Sequence, residues 1–205
     1  MLWNRFVPFR SVLILAVVLM AGLIGTNSAR SDDDTHVYMF RGIINVFSLG
    51  LDEIAENLRK RGVKVTVLNH LSSSQAYNEI LAGGSSRRPG TRPLVLVGHS
   101  LGANAALALS KKLAEKNIKV NLVITLDPTA SGPLSSNVGR YINYHFGDVG
   151  LRGYSDTPED LRRRVQNINL NRYEPMGDET TSHFVMTSHN VVQKDIAKSV
   201  LRYVR

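Results

Sequence analysis

The sequence contains no cysteine, and this absence excludes several kinds of site and scaffold. Disulfide frameworks, zinc–thiolate sites, iron–sulfur clusters and lipid-modified cysteine anchors all require a thiol. Glycine and proline are also few, 16 and 7 of 205 residues, which excludes a low-complexity chain. The hydrophobic fraction of 43% is too high for a wholly disordered protein. These limits leave one domain of ordinary size that can bury a hydrophobic core.

Acidic residues are outnumbered by basic ones, 17 to 25, and the formal net charge is +8. Three of the positive charges, Arg5, Arg10 and Arg30, lie in an N-terminal segment without acidic residues. The other basic residues, such as Lys111–Lys112 and Arg162–Arg164, are scattered and have no aromatic residues interleaved among them. We therefore interpret them as solvated surface and expect no nucleic-acid partner.

Residues 1–30 are typical of a targeting segment. Arg5 and Arg10 precede the continuously apolar or small run 12–24, and the segment 25–29 that follows it is small except for the bulkier Asn27. This pattern predicts a secretory signal peptide. The uncharged stretch 11–29 is also about long enough to span a thin bilayer, so an uncleaved membrane anchor is the alternative. Either way we expect export: a periplasmic or extracellular domain if the segment is cleaved, otherwise an anchored domain outside the cytoplasm.

The acidic residues of 31–34 indicate a short linker, so the folded domain is predicted to span 35–205. Within it, β-prone runs alternate with helical patterns. The predicted strands are 36–40, 63–68, 94–97, 122–126, 141–146 and 165–170, and the predicted helices are 49–61, 75–82, 101–116 and 190–203. Such alternation predicts an α/β fold in three layers, with helices on both sides of a mostly parallel sheet.

The most informative residues are Gly98–Gly102, which follow a buried strand directly and open a long helix. In that context G-x-S-x-G is a nucleophile elbow, which exposes a serine hydroxyl at the carboxyl edge of the sheet. Side chains at Gly98 or Gly102 would collide with a neighbouring strand or helix. Free N–H groups at the helix N-terminus would face an oxyanion there. Ser100 is therefore the candidate nucleophile.

This elbow resembles that of lipases, esterases and thioesterases, and the chain from His36 onward is similar to a small α/β-hydrolase. The resemblance implies an acid and a histidine that follow the serine in that order. It also implies hydrolysis of an ester or thioester. The domain is too short for a large cap once the sheet and helices are counted, so we expect a compact sandwich without one.

Two aspartates are candidates for the acid. Asp127 ends the strand that follows the elbow helix, and Leu126-Asp127-Pro128 resembles the Leu-Asp-Pro of pancreatic-type lipases. An unpaired carboxylate at the end of a buried strand would cost several kcal/mol, and a histidine partner would offset that cost. Asp148 follows the next strand, where most α/β-hydrolases carry the acid, and remains the alternative.

Six histidines compete for the role of base: His36, His70, His99, His145, His183 and His189. Only the last two lie between the last strand and the last helix, where the resemblance places the base. His189 follows Ser188, a good N-cap, and is expected in the first helical turn. His183 lies in an irregular segment, and Ser182-His183-Phe184 resembles the pattern of compact lipase-like hydrolases, so we favour His183. His99 lies on the wrong side of the turn to act as base.

The oxyanion donors are expected from two backbone sites. One is the N–H of Leu101, directly after the nucleophile. The other lies after the first strand, where Arg41-Gly42-Ile43 resembles the family's His-Gly-X turn with arginine in place of histidine, so the donor would be Ile43 N–H.

These residues predict a serine hydrolase that cleaves carboxylic esters or thioesters through an acyl-enzyme. The reaction needs no metal or other cofactor, and the sequence has no dinucleotide fingerprint. Two alternatives stay open: an envelope-binding module with a hydrolase fold and no turnover, and an acyltransferase that uses the same triad.

Overall fold

The computed structural model describes residues 35–43, 48–84, 93–147, 151, 157–177 and 179–203. Its centre is a sheet of six strands: β1 (His36–Arg41), β2 (Lys64–Asn69), β3 (Leu94–His99), β4 (Val120–Leu126), β5 (Val138–His145) and β6 (Val165–Asn169). Their order across the sheet is β2-β1-β3-β4-β5-β6, and every neighbouring pair is parallel. The predicted mostly parallel sheet is thereby confirmed.

Helices cover both faces of this sheet. They are α1 (Gly50–Arg59), α2 (Ser73–Gly84), α3 (Leu101–Ala114), α4 (Glu159–Arg162) and α5 (Asn190–Leu201). Apolar side chains of α1 and α5 join one face of the sheet in a first core, and those of α2 and α3 join the other face in a second core. The result is the predicted three-layer sandwich. The short helix α4 lies outside the predicted elements because four residues are too few to show a helical period.

Strand β3 is buried along its whole length, from Leu94 to His99. Burial on both faces is the rule for central strands of parallel sheets and explains the continuous apolar run Leu94–Val97. The connections change direction between β1 and β3, because the chain runs from β1 to β2 on one side and then to β3 on the other side of β1. Crevices at such a switch point, beyond the carboxyl ends of the strands, are where α/β sheets bind ligands.

A polar ladder crosses the other half of the sheet. Thr125 Oγ1 donates to Asn143 Oδ1 at 2.8 Å, and Asn143 Nδ2 donates to Asn167 Oδ1 at 2.9 Å. These three residues are register partners on β4, β5 and β6. Asn167 Nδ2 continues the ladder to the carbonyl of Leu151 at 3.0 Å. The ladder satisfies side-chain groups that burial would otherwise penalise, and it fixes the register of the strands next to Asp127.

The two ends of the described domain meet at the amino edge of the sheet. Thr35 Oγ1, directly before β1, donates to the carbonyl of Tyr203, shortly after α5, at 2.7 Å. All described residues belong to one compact unit, Asp34–Arg205. The expected targeting segment 1–30, the linker 31–34 and Asp148 lie outside the described residues. None of the described helices combines the length and the hydropathy needed to cross a bilayer.

Candidate active site

Ser100 lies in a strained turn between β3 and α3. Its backbone has φ 56° and ψ −123°, a conformation that non-glycine residues rarely adopt. The turn is held to the neighbouring strand because Ser100 N–H donates to the carbonyl of Leu126 at 2.9 Å. The strain therefore belongs to a fixed geometry that places the serine at the carboxyl edge of the sheet, as the elbow pattern predicts.

The two glycines of the elbow are required by close backbone contacts. A Cβ on Gly98 would stand 2.2 Å from the carbonyl oxygen of Gly102, and a Cβ on Gly102 would stand 2.1 Å from that of Phe40 in β1. No side chain fits at such distances. The predicted collisions are confirmed, and they show that the elbow packs directly against the end of β1.

Asp127 follows β4 in a left-handed backbone conformation, with φ 44°. Its own N–H donates to the carbonyl of Tyr144 at 2.7 Å, which fixes the residue against β5. Its carboxylate lies 2.7 Å from His183 through Oδ2, and Oδ1 accepts from Phe146 N–H at 3.5 Å. The carboxylate at the end of this buried strand therefore has the histidine partner that sequence reasoning required.

His183 connects the aspartate to the serine. Its Nδ1 lies 2.7 Å from Asp127 Oδ2, and its Nε2 lies 3.1 Å from Ser100 Oγ. The ring is about one third exposed, so a substrate can reach it. The structure thus brings Ser100, His183 and Asp127 together in the order that a serine nucleophile, its base and an orienting acid require.

His189, the alternative base, has different partners. It caps helix α5, because its Nδ1 accepts from Val191 N–H at 3.3 Å, and its Nε2 lies 2.9 Å from Glu179 Oε2. The expectation that Ser188 caps this helix is wrong. Ser188 ends the one-turn 3-10 helix Met186–Ser188, so the extended conformation of an N-cap falls on His189.

Leu101 and Gly42, the residue before Ile43, both lie next to Ser100. Leu101 is the first residue of α3, where N–H groups have no partner within the helix. The chain after β1 passes close by, since a Cβ on Gly42 would lie 3.1 Å from the Cβ of Ser100. Ile43 follows directly. Arg41, which stands in place of the family's histidine, points its guanidinium at the carboxylate of Asp52 in α1 (Nε to Oδ2, 3.0 Å).

Two polar residues behind the site, Ser48 and His99, are buried and hydrogen-bonded. His99 Nδ1 lies 2.8 Å from Ser48 Oγ, and His99 Nε2 lies 2.8 Å from the carbonyl oxygen of His183. Sequence reasoning excluded His99 as the base and assigned it no other role. The available signal was a histidine at the end of a fully buried strand, which must find partners for both ring nitrogens.

Within the described part of the chain, no group of three or more His, Cys, Asp or Glu side chains is arranged to hold a metal ion. The site chemistry described above consists of a hydroxyl, an imidazole, a carboxylate and backbone N–H groups.

Comparison with solved structures identifies the architecture. The NocB thioesterase domain from the nocardicin cluster is similar, with a TM-score of 0.53 and 11% identity over 82% of this chain and 94% of that chain. The chain has the α/β-hydrolase fold. The type II thioesterase YbtT of the yersiniabactin pathway gives a TM-score of 0.45 at 13% identity, covering 86% of this chain and 95% of that one. A cutinase-like protein from Cryptococcus sp. gives 0.44 at 12% identity, covering 82% and 94%. No protein-family model and no curated protein matches this sequence.

Proposed function

We propose that this protein is a serine hydrolase that cleaves carboxylic esters or thioesters. The observation that carries the proposal is the continuous contact from Ser100 Oγ to His183 Nε2 (3.1 Å) and from His183 Nδ1 to Asp127 Oδ2 (2.7 Å). A serine hydroxyl is a weak nucleophile until an adjacent base takes its proton. These three groups supply the nucleophile, the base and the group that orients the base.

In the proposed reaction, Ser100 Oγ attacks the acyl carbon while its proton passes to His183 Nε2. Asp127 accepts a hydrogen bond from Nδ1–H and stabilises the imidazolium that forms. The N–H groups of Leu101 and Ile43 stabilise the oxyanion, and each such donor contributes about 3 kcal/mol to the transition state. His183 returns the proton to the departing alcohol or thiol. Water then attacks the acyl-enzyme by the same steps in reverse, which releases the acid and restores Ser100.

The exposed apolar side chains of the protein favour a substrate with an apolar acyl group. The large hydrophobic side chains that remain exposed in the described part of the chain are Ile43, Leu49, Leu71, Phe184 and Val185. Ile43 and Leu49 follow β1, Leu71 follows β2, and the other two follow His183 directly. The carboxyl ends of parallel strands share one edge, and Ser100 lies at that edge. Phe184 is directly at the site, because its ring contacts that of His183 edge-on at a centroid distance of 5.3 Å. Exposed apolar side chains next to a reactive group are typical of a binding surface.

Labelling with a fluorophosphonate tests the proposed nucleophile. We expect the purified domain to gain one covalent adduct, which peptide mass spectrometry assigns to Ser100. Ser100→Ala and His183→Ala should not be labelled, while both retain a native circular dichroism spectrum. An unlabelled, folded wild-type domain would exclude a reactive serine and leave the non-catalytic binding module.

A series of p-nitrophenyl esters and acyl thioesters then defines the substrate. We expect kcat/KM to rise with acyl-chain length, because longer chains cover more of the apolar surface. Phe184→Ala should reduce kcat/KM for long acyl chains more than for the shortest ester, which serves as the internal control for effects on the neighbouring His183 ring. An added alcohol acceptor distinguishes a hydrolase from an acyltransferase, since only the latter diverts most of the acyl group to the acceptor.

A further inference from the structure

We propose that His99 is a positioning residue, a neutral imidazole that holds the base segment at His183 and the oxyanion loop at Gly42 through one chain of hydrogen bonds. The inference rests on the proposed function, because it assigns His99 a role toward that function's base and oxyanion donors. His99 itself touches neither Ser100 Oγ nor a substrate, so its effect acts through these neighbours.

This chain of hydrogen bonds consists of three contacts. Gly42 N–H donates to Ser48 Oγ at 3.0 Å. Ser48 Oγ lies 2.8 Å from His99 Nδ1, and His99 Nε2 lies 2.8 Å from the carbonyl oxygen of His183. The side chains of Ser48 and His99 are buried, with relative exposures of 0% and 1% for the two residues. Water therefore cannot replace these bonds without a local opening.

The partners determine where each proton lies. A carbonyl oxygen can only accept, so His99 Nε2 must carry a proton and donate to His183. In a neutral ring, Nδ1 is then an acceptor, and the Ser48 hydroxyl donates to it. Ser48 Oγ keeps a lone pair for Gly42 N–H. Burial lowers the pKa of His99 to about 4, so the ring is neutral at pH 7. Each donor in the series Gly42, Ser48, His99 then has an acceptor.

The hydrogen-bond chain ends at Gly42 on one side and at His183 on the other, and these residues belong to two different parts of the site. His183 carries the base, and its own main-chain carbonyl is the acceptor. Gly42 lies beside Ser100 and directly precedes Ile43, the expected oxyanion donor. The imidazole of His99, the last residue of β3, therefore connects the segment that carries the base to the loop that precedes Ile43, and so affects the distance between them. Displacement of a reacting group by about 1 Å can reduce the rate about 100-fold, so this distance affects turnover.

Two substitutions separate the two ring nitrogens. Gln places an amide N–H near the position of Nε2 and can still donate to His183. Asn is shorter, places its amide oxygen near the position of Nδ1, and can still accept from Ser48. We expect both substitutions to lower kcat with little change in KM. His99→Asn, which releases the segment that carries the base, should lose about 10- to 100-fold, and His99→Gln, which releases only the loop at Gly42, should lose less than that.

Spectroscopy gives a readout that does not depend on turnover. At pH 7, the 15N chemical shifts of His99 should report a neutral ring protonated at Nε2. The downfield proton resonance of His183 Nδ1–H, which reports its bond to Asp127, should persist in His99→Gln and weaken in His99→Asn. Thermal melts in parallel identify any variant that simply unfolds, and in that case the wild-type tautomer alone decides.

The inference is overturned if His99 is charged or protonated at Nδ1 in the wild type at pH 7. It is also overturned if the folded Asn and Gln variants both keep the kcat and the His183 resonance of the wild type. Failure of the proposed function is a separate result, because it would leave Ser100 unlabelled by fluorophosphonate in the wild type while the tautomer and the His183 resonance still test His99.

Discussion

At the scale of single residues, the site depends on polar groups whose partners are assigned without ambiguity. Asp127 Oδ2 faces His183 Nδ1, and His99 Nε2 faces a carbonyl that can only accept. Each of these contacts selects one tautomer of a histidine ring, and the selected tautomer leaves His183 Nε2 free to accept the proton of Ser100. Substitutions that keep the size of a side chain but change its donors are therefore the most informative.

Asp127→Asn tests the assignment of the acid. The amide can donate to His183 Nδ1 and so favour the wrong tautomer, and we expect kcat to fall by about 10³- to 10⁴-fold. Ser100→Ala should cost about as much, and combining the two should cost little more because the groups act as a unit. Steady-state kinetics with a p-nitrophenyl ester measures these effects.

Asp148→Asn is the matched control for that experiment. Because the proposed mechanism gives Asp148 no role, this substitution should change the rate by less than about 10-fold. If folded Asp148→Asn loses turnover while folded Asp127→Asn keeps it, the acid is Asp148, as in most α/β-hydrolases.

The buried ring of His99 predicts a pH dependence of stability. Burial lowers its pKa to about 4 in the folded state, against about 6.5 in the unfolded chain. Between these values the unfolded state binds more protons, so the free energy of unfolding falls as the pH falls from 6.5 to 4. The charged or titratable groups nearest the ring are His183 and Asp127.

Urea denaturation at pH 7 and pH 4.5 measures this dependence. The wild type should lose about 2 kcal/mol more than His99→Gln between these two conditions, because Gln does not titrate and the other groups contribute equally to both proteins. An identical loss in the two proteins would mean that His99 titrates normally.

At the scale of secondary-structure elements, the elbow depends on close backbone contacts between β1, β3 and α3. These contacts leave no room for a Cβ at Gly98 or Gly102. Gly98→Ala should clash with the carbonyl oxygen of Gly102, 2.2 Å from the added Cβ, and lower the free energy of unfolding by about 3 kcal/mol. Gly62→Ala is the control. Gly62 has a positive φ of 83° but open space around it, so Ala should cost only about 1 kcal/mol there. Thermal or urea denaturation compares the two, and equal losses would contradict the close packing.

The elements also show why sequence reasoning succeeded in some places and not in others. The buried strand β3 and the glycines around Ser100 have a local signature, so the elbow and the order of strands and helices were predictable. The roles of Ser48 and Asn143 were not. The His99 partner of Ser48 lies 51 residues away, and the partners of Asn143 lie 18 and 24 residues away. Packing between elements determines these contacts, and no local pattern encodes them. The cap of α5 was assigned one residue too early because the preceding 3-10 turn is too short to detect.

At the scale of the whole molecule, we propose that the folded domain functions outside the cytoplasm. The basic start and the apolar run 12–24 motivate this proposal, and the absence of cysteine is compatible with an oxidising compartment. Fractionation of expressing cells and N-terminal sequencing should find the domain outside the cytoplasm, beginning near Arg30 if the segment is cleaved. Soluble cytoplasmic protein that retains Met1 would refute export.

The hydrogen bond between Thr35 and Tyr203 has a practical consequence for engineering. It brings both ends of the domain to the amino edge of the sheet, while Ser100 lies at the carboxyl edge. Six residues of strand separate these edges, which corresponds to about 20 Å. A fusion partner, a surface display anchor or an immobilisation tag joined to either end would therefore leave the catalytic edge open. A short loop could also connect the two ends and allow new termini to be opened elsewhere in the chain.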